Sequence, residues 1–201
     1  MVRVLAIADE EVPGYWSRLR DLQVDVVLAA GDLSWGYLAD IGAALGVPAG
    51  FVPGNHDPST ADGEHPDGFV DADARIVTLG GLRIAGLGGC VRYNHGSHQY
   101  TQAEHARRAR SILAANPVDV LLTHAPPLDL GDEPDPAHRG IEVLHEVIAA
   151  LEPSWHLHGH IHPYGLAKPD RQVGGTTVRN VIPWHVVDVQ PRAVQRRTHG
   201  Q

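Results

Sequence analysis

Two apolar runs near the start of the chain, VRVLAIA (2–8) and DVVLAA (25–30), are continuous rather than alternating. A strand with one wet face alternates polar and apolar residues, so runs of this kind suit strands buried on both faces, as in sheets covered by helices. Between them, Trp16, Leu19 and Leu22 recur at helical spacing behind Pro13, which predicts a β-α-β start. SWGYLADIGAALG (34–46) continues the alternation as a helix, with Ser34 as N-cap and Gly46 as stop, and PAGFVP supplies a third strand. Such folds bind ligands at the carboxyl ends of their strands.

Residues 54–73 are rich in Gly, Pro, Asp and His and read as a long surface loop. RIVTLG (75–80) and LRIAGLGG (82–89), joined through Gly80-Gly81, predict a hairpin that begins a second sheet. Thr101 with Glu104 three places on forms a capping box ahead of a helix. VDVLLTH (118–124) is a buried strand ending on His124, and IEVLHEVIAALE (141–152) sets Ile141, Leu144, Ile148 and Leu151 on one helical face. WHLHGHIH reads as a short strand turning out at Gly159, GGTTVRNVI and WHVVDVQ as further strands, and RAVQRRTHG as a frayed end. With no internal repeat and no linker, one domain over residues 1–201 is the simplest organisation.

A chain of 201 residues with 43% apolar and 20% charged residues has ordinary globular composition. Its formal charge of -8 disfavours long nucleic acids, which need a basic surface to displace counterions, but says little against nucleotides or short esters. No apolar run reaches membrane-spanning length, and MVRVLAIADEE enters a strand at once, so a cytoplasmic location is expected. Cys90, the only cysteine, can form neither an intrachain disulfide nor a Cys-rich zinc site.

Five short strings, IADEE, AAGDLS, PGNHDP, THAPP and HGHIHP, each place Asp, Asn or His where an apolar run stops. Taken singly, these are a helix cap, turn formers and surface histidines. As an ordered set they read as ligands gathered around a common centre. The set Asp9-x-Glu11, Gly31-Asp32, Gly54-Asn55-His56-Asp57, His124 and Gly159-His160-Ile161-His162 resembles the calcineurin-like metallophosphoesterases. Their pattern runs Asp-x-His, Gly-Asp, Gly-Asn-His-Asp, a lone His, then Gly-His-x-His. One position departs: Glu11 stands where that family usually has His.

The resemblance implies a four-layer αββα sandwich with two mixed β-sheets, and a metal-dependent hydrolase that uses two divalent ions. A hydroxide bridging them attacks phosphorus in line. By resemblance, Asp32 bridges the metals, Asp9, Glu11 and His162 hold the first, and Asn55, His124 and His160 hold the second. Asp9 with Glu11, and His160 with His162, lie two apart, so each pair faces one way if its strand continues through it. His56 would stabilise the transition state or protonate the leaving oxygen, with Asp57 orienting its imidazole. Glu11 supplies a harder oxygen donor in place of nitrogen, which tilts selectivity toward manganese, magnesium or iron rather than zinc; manganese or iron is expected, with zinc or magnesium as alternatives. The alternative for Glu11 is a solvent-facing residue in an acidic turn.

Arg92, at the glycine-rich end of a strand, and His138 with Arg139, opening a helix, are candidate contacts for an anionic substrate. The expected substrate is a small phosphoester, with diesters ahead of monoesters or phosphoprotein. A different class of reading is a non-catalytic scaffold on the same fold, supported only by Glu11. No Walker A loop, dinucleotide fingerprint or G-x-S-x-G elbow is present.

Overall fold

The apolar runs become strands in the order their spacing predicts. A computed structural model of the protein describes residues 1–12, 16–60, 63–114, 117–166 and 168–192. In chain order the first half contains β1 (Val2–Ile7), α1 (Trp16–Asp21), β2 (Val26–Ala29), α2 (Trp35–Leu45), β3 (Ala49–Phe51), β4 (Phe69–Asp71), β5 (Arg75–Leu79) and β6 (Leu82–Leu87). The second contains β7 (Cys90–Val91), β8 (Gln99–Tyr100), α3 (Gln102–Leu113), β9 (Val120–Thr123), α4 (Leu144–Leu151), β10 (Trp155–His158), β11 (Arg171–Val173), β12 (Thr176–Asn180) and β13 (Trp184–Val189).

Two mixed sheets result, ordered β13-β1-β2-β3-β4 and β11-β12-β10-β9-β6-β5. In the first, β1 to β4 run parallel and β13 closes one edge antiparallel to β1, Val2 opposite Val189. In the second, β6, β9, β10 and β12 are parallel, flanked by antiparallel β5 and β11. Alternate residues of β1 explain its unbroken apolar run. Val4 and Ala6 enter a cluster shared with Ile84, Leu122 and Leu157 of the other sheet. Leu5 and Ile7 pack with Leu19 of α1 and Leu38 and Ile41 of α2. On the far side, Ala109 and Ile112 of α3 and Leu144, Val147 and Leu151 of α4 cover Ala85, Leu87 and Leu121. The layers are therefore α, β, β, α, as the resemblance implies.

Local signals operate as their chemistry dictates. Ser34 accepts the Tyr37 N–H and Gly46 closes α2 at φ 64°, while Thr101 and Glu104 complete the capping box of α3. The β5-β6 hairpin turns on Gly80 and Gly81 at φ 55° and 82°, both in the region that a two-residue turn of this hand needs.

Two expectations change, and one pair of strands is added. The loop expected over 54–73 contains β4, which pairs with β3. The helix expected from Ile141 begins at Leu144, because Ile141 is held in a bridge to Pro127. The two-residue strands β7 and β8, paired Cys90 to Gln99, are too short to leave a periodic signal. Pro13, the Trp16 side chain and all of the expected frayed end beyond Arg192 lie outside the described residues.

Candidate functional site

The polar strings follow the carboxyl ends of β1, β2, β3, β9 and β10, and the two sheets bring those ends together. The Asp9 N–H donates to the Gly31 carbonyl at 3.1 Å and the Gly159 N–H to that of His124 at 2.9 Å. The His160 N–H spans the sheets to the Asp9 carboxylate, 3.2 and 3.0 Å from its two oxygens. That crossing demands a glycine before it: a Cβ on Gly159 would strike the Asp9 carboxylate and Ala8, and one on Gly54 would strike Asp32. Asp9, Asp32 and His160 all lie in the left-handed region, at φ 62°, 57° and 67°. Such conformations cost about 1–3 kcal/mol each in residues with a side chain, and they concentrate at functional sites. The strands end at Ile7 and His158. The premise that Asp9 with Glu11, and His160 with His162, share a strand face therefore fails, because left-handed turns intervene.

Asp32, His124 and His160 bring donor atoms within 4.8 Å of one another. Backbone carbonyls decide which ring nitrogens remain for a ligand. His124 is fully buried, with Nδ1 2.7 Å from the Ala30 carbonyl, and its Nε2 faces the Asn55 Oδ1 at 3.0 Å and the Asp32 carboxylate at 3.4 Å. His160 donates from Nε2 to the Ala137 carbonyl at 2.8 Å, leaving Nδ1 to ligate. A second hydrogen bond of this kind fixes the tautomer of a metal-binding histidine.

The charges of this buried cluster are unbalanced in a way a cation would correct. Burial raises the Asp9 carboxyl to about 6, with Asp32 adding to the rise against the pull of His124. Burial would also raise Asp32, but the charge and hydrogen bond of His124 bring it down to about 2. For His124 burial acts downward, and the opposing charge and hydrogen bond of Asp32, with the charge of Asp9, carry it up to about 9. Burial and the His124 charge depress His160 to about 3. Two buried carboxylates thus share one histidinium. Oxygen and nitrogen donors in this arrangement fit divalent ions.

The other expected residues fall into three places. His162 Nε2 lies 3.8 Å from Asp9, and its Nδ1 lies 3.3 Å from Glu10, for which the sequence offers no role. Glu11 stands apart from the cluster: it is exposed, and its carboxylate accepts the Ser34 N–H at 3.1 Å. His56 is exposed, its backbone N–H held by Asp32 at 2.8 Å. Asp57, expected behind that imidazole, instead accepts the N–H groups of Gly54 at 2.7 Å and Asp32 at 3.0 Å, pinning two site loops together.

Of the expected anion contacts, Arg92 holds the Gln99 carbonyl and pairs with Glu104 at 3.0 Å. His138 packs its ring 5.5 Å from that of His160 and pairs with Asp135 at 2.9 Å. Arg139 faces Glu142 at 3.7 Å and lines an open pocket with Asp129, Asp132 and Glu133. Sequence reasoning missed the Ala30 and Ala137 carbonyls, for which no residue type gives a signal, and Tyr93, which receives a hydrogen bond from Asn55 at 3.2 Å.

Residues 4–164 match the family described as calcineurin-like phosphoesterase. The chain belongs to that family. Its members are generally metal-dependent hydrolases and typically bind two divalent metals. One solved crystal structure aligns at a TM-score of 0.65 and 19% identity over 89% of each chain. TT1561 of Thermus thermophilus aligns at 0.60 and 17% identity, over 88% of this chain and 87% of that one. Wild-type Vps29 from Entamoeba histolytica, solved with Zn2+, aligns at 0.45 and 17% identity over 89% and 73%. At these identities the likeness is one of fold. No curated protein matches the sequence. No helix among the described residues is long and apolar enough to cross a membrane.

Proposed function

We propose that this calcineurin-like phosphoesterase hydrolyses small phosphodiesters at a two-metal centre. Asp32, with Asp9 and His162 on one side and Asn55, His124 and His160 on the other, would hold the two ions. The observation that carries the reading is the convergence of Asp32, His124 and His160 within 4.8 Å, with the outer nitrogen of each ring committed to a backbone carbonyl. When bound, the metals would supply an activated water and offset charge on the phosphoryl group. His56, exposed and tethered through its own backbone to Asp32, donates the proton to the departing alkoxide. Asp57 keeps the loop that carries it in place. Manganese or iron suits the oxygen-rich side formed by Asp9 and Asp32.

The carboxylates near the cluster favour a diester. Glu10 lies beside His162, and Asp135 beside His138, whose ring is 5.5 Å from that of His160; these carboxylates repel a doubly charged monoester more than a singly charged diester. After reconstitution with manganese, an aryl phosphodiester should turn over faster than the matching monoester. His56→Ala should lower kcat by about 10²–10⁴-fold while leaving metal content unchanged. Faster monoester turnover would move the assignment to a phosphatase. Absence of both metal and turnover across manganese, iron and zinc would leave the scaffold reading.

Glu11 has a separate test. Since its carboxylate serves the Ser34 amide at the start of α2, Glu11→Ala should keep both metals and cost about 0.5–1 kcal/mol in stability. A loss of one metal per chain, measured by elemental analysis, would restore Glu11 as a ligand.

A further inference from the structure

An asparagine can ligate a metal only through Oδ1, yet the two ends of its amide have nearly the same shape. Something must select the end that faces the ion. Asn55 is buried, and each end of its amide has one partner: Oδ1 lies 3.0 Å from His124 Nε2, and Nδ2 donates to the Tyr93 hydroxyl at 3.2 Å. We infer that Tyr93 is a positioning residue that holds Nδ2 away from the metal and so presents Oδ1 to it; this rests on the two-metal reading above.

The surroundings of Tyr93 are built for such a role. Its ring packs against the apolar cluster that contains Leu87, Cys90 and Ala125. Its N–H donates to the Gln99 Oε1 at 3.2 Å, which also takes the Asn94 N–H at 3.1 Å, while the Gln99 Nε2 donates to the Asn94 Oδ1 at 2.7 Å. Gln99 is only 5% exposed, so the clasp is anchored on a buried side chain although Asn94 itself is exposed. The same segment grips the Asn55 loop from two sides: the Gly89 N–H donates to the Pro53 carbonyl at 2.7 Å, and His98 Nε2 lies 2.7 Å from that of Pro58. Tyr93 and Asn55 thus ride on segments fixed to each other. A phenol oxygen accepts well from an amide and offers no positive charge to compete with a cation. Tyr93→Phe removes that acceptor and keeps the ring.

The test is manganese titration by calorimetry on the whole chain. Tyr93→Phe should weaken one of the two sites by about 10–100-fold, the usual effect of losing an outer partner of a metal ligand, and leave the other unchanged. In an Asn55→Asp background the same change should have no effect, because either carboxylate oxygen can ligate. Equal loss in both backgrounds, equal loss at both sites, or no loss in the wild-type background would each overturn the inference. A wild-type chain that takes up no manganese, iron or zinc overturns the two-metal reading and this inference with it, whereas metal uptake unaffected by Tyr93→Phe overturns this inference alone.

Discussion

Asp32→Asn should strip both metals from the protein and lower turnover by about 10³-fold or more, at the upper end of what loss of a single stabilising group costs. No other carboxylate among the described residues combines the contacts of Asp32. One oxygen accepts the His56 N–H at 2.8 Å and the other faces His124 Nε2 at 3.4 Å. Asparagine preserves the shape and an acceptor, so the loop carrying His56 should stay in place; what disappears is the charge. Without it His124 loses the partner that lifts it to about 9, and the remaining donors lack an anion between them. Asp9→Asn provides the graded comparison. Asp9 lies beside His162 on one side of the cluster, so that variant should lose one metal and retain the other. Elemental analysis, turnover and a thermal melt of each variant separate the outcomes. Two metals retained by Asp32→Asn at unchanged affinity would sink the assignment of Asp32 as the shared ligand.

The sequence carried the architecture further than the site. Strands buried on both faces, the Ser34 and Gly46 caps of α2, and the Thr101-Glu104 box of α3 all rest on contacts within a few residues, and all form in the structure. The ordered strings and their resemblance to the family were enough to expect Asp9, Asp32, Asn55, His124 and His160 at one place, because parallel strands deliver their carboxyl ends to one edge of each sheet. Aim was not legible. Reasoning with a period of two extended β1 and β10 through residues that instead turn left-handed at Asp9 and His160. The turn sends Glu11 to Ser34 and brings Glu10 to His162. Such turns are held by partners more than a hundred residues away, as when the His160 N–H binds Asp9, so no local window contains their cause. The carbonyls that fix the histidine rings belong to alanines, whose side chains announce nothing.

The metal-free protein should unfold in acid as pH falls from 6.5 toward 4. Burial, the largest influence on each, lowers His105 and His158 to about 4, His160 to about 3 and His156 well below its usual 6.5. Above pH 6.5 these rings are neutral in both states and carry no penalty. Between 6.5 and the folded values, the unfolded chain takes up protons that the folded chain refuses, and stability declines with pH. For His105 and His158 the drop from 6.5 to about 4 corresponds to roughly 3 kcal/mol apiece. Asp9 acts in the opposite sense: raised from 3.8 to about 6, it returns roughly 3 kcal/mol as it protonates over much of the same range. Four buried histidines outweigh the two buried carboxyls, Asp9 and Asp57, that burial raises, so stability falls on balance toward acid. His105 isolates the effect because it sits on α3, donating to the Cys90 carbonyl at 3.1 Å and stacking edge-on against Tyr100, outside the metal cluster. In urea unfolding of the metal-free chain between pH 4 and 7.5, His105→Gln should flatten the decline by about 3 kcal/mol at its acid end. A wild-type profile level down to pH 4, or an unchanged slope in His105→Gln, would show that these rings are not held neutral by burial.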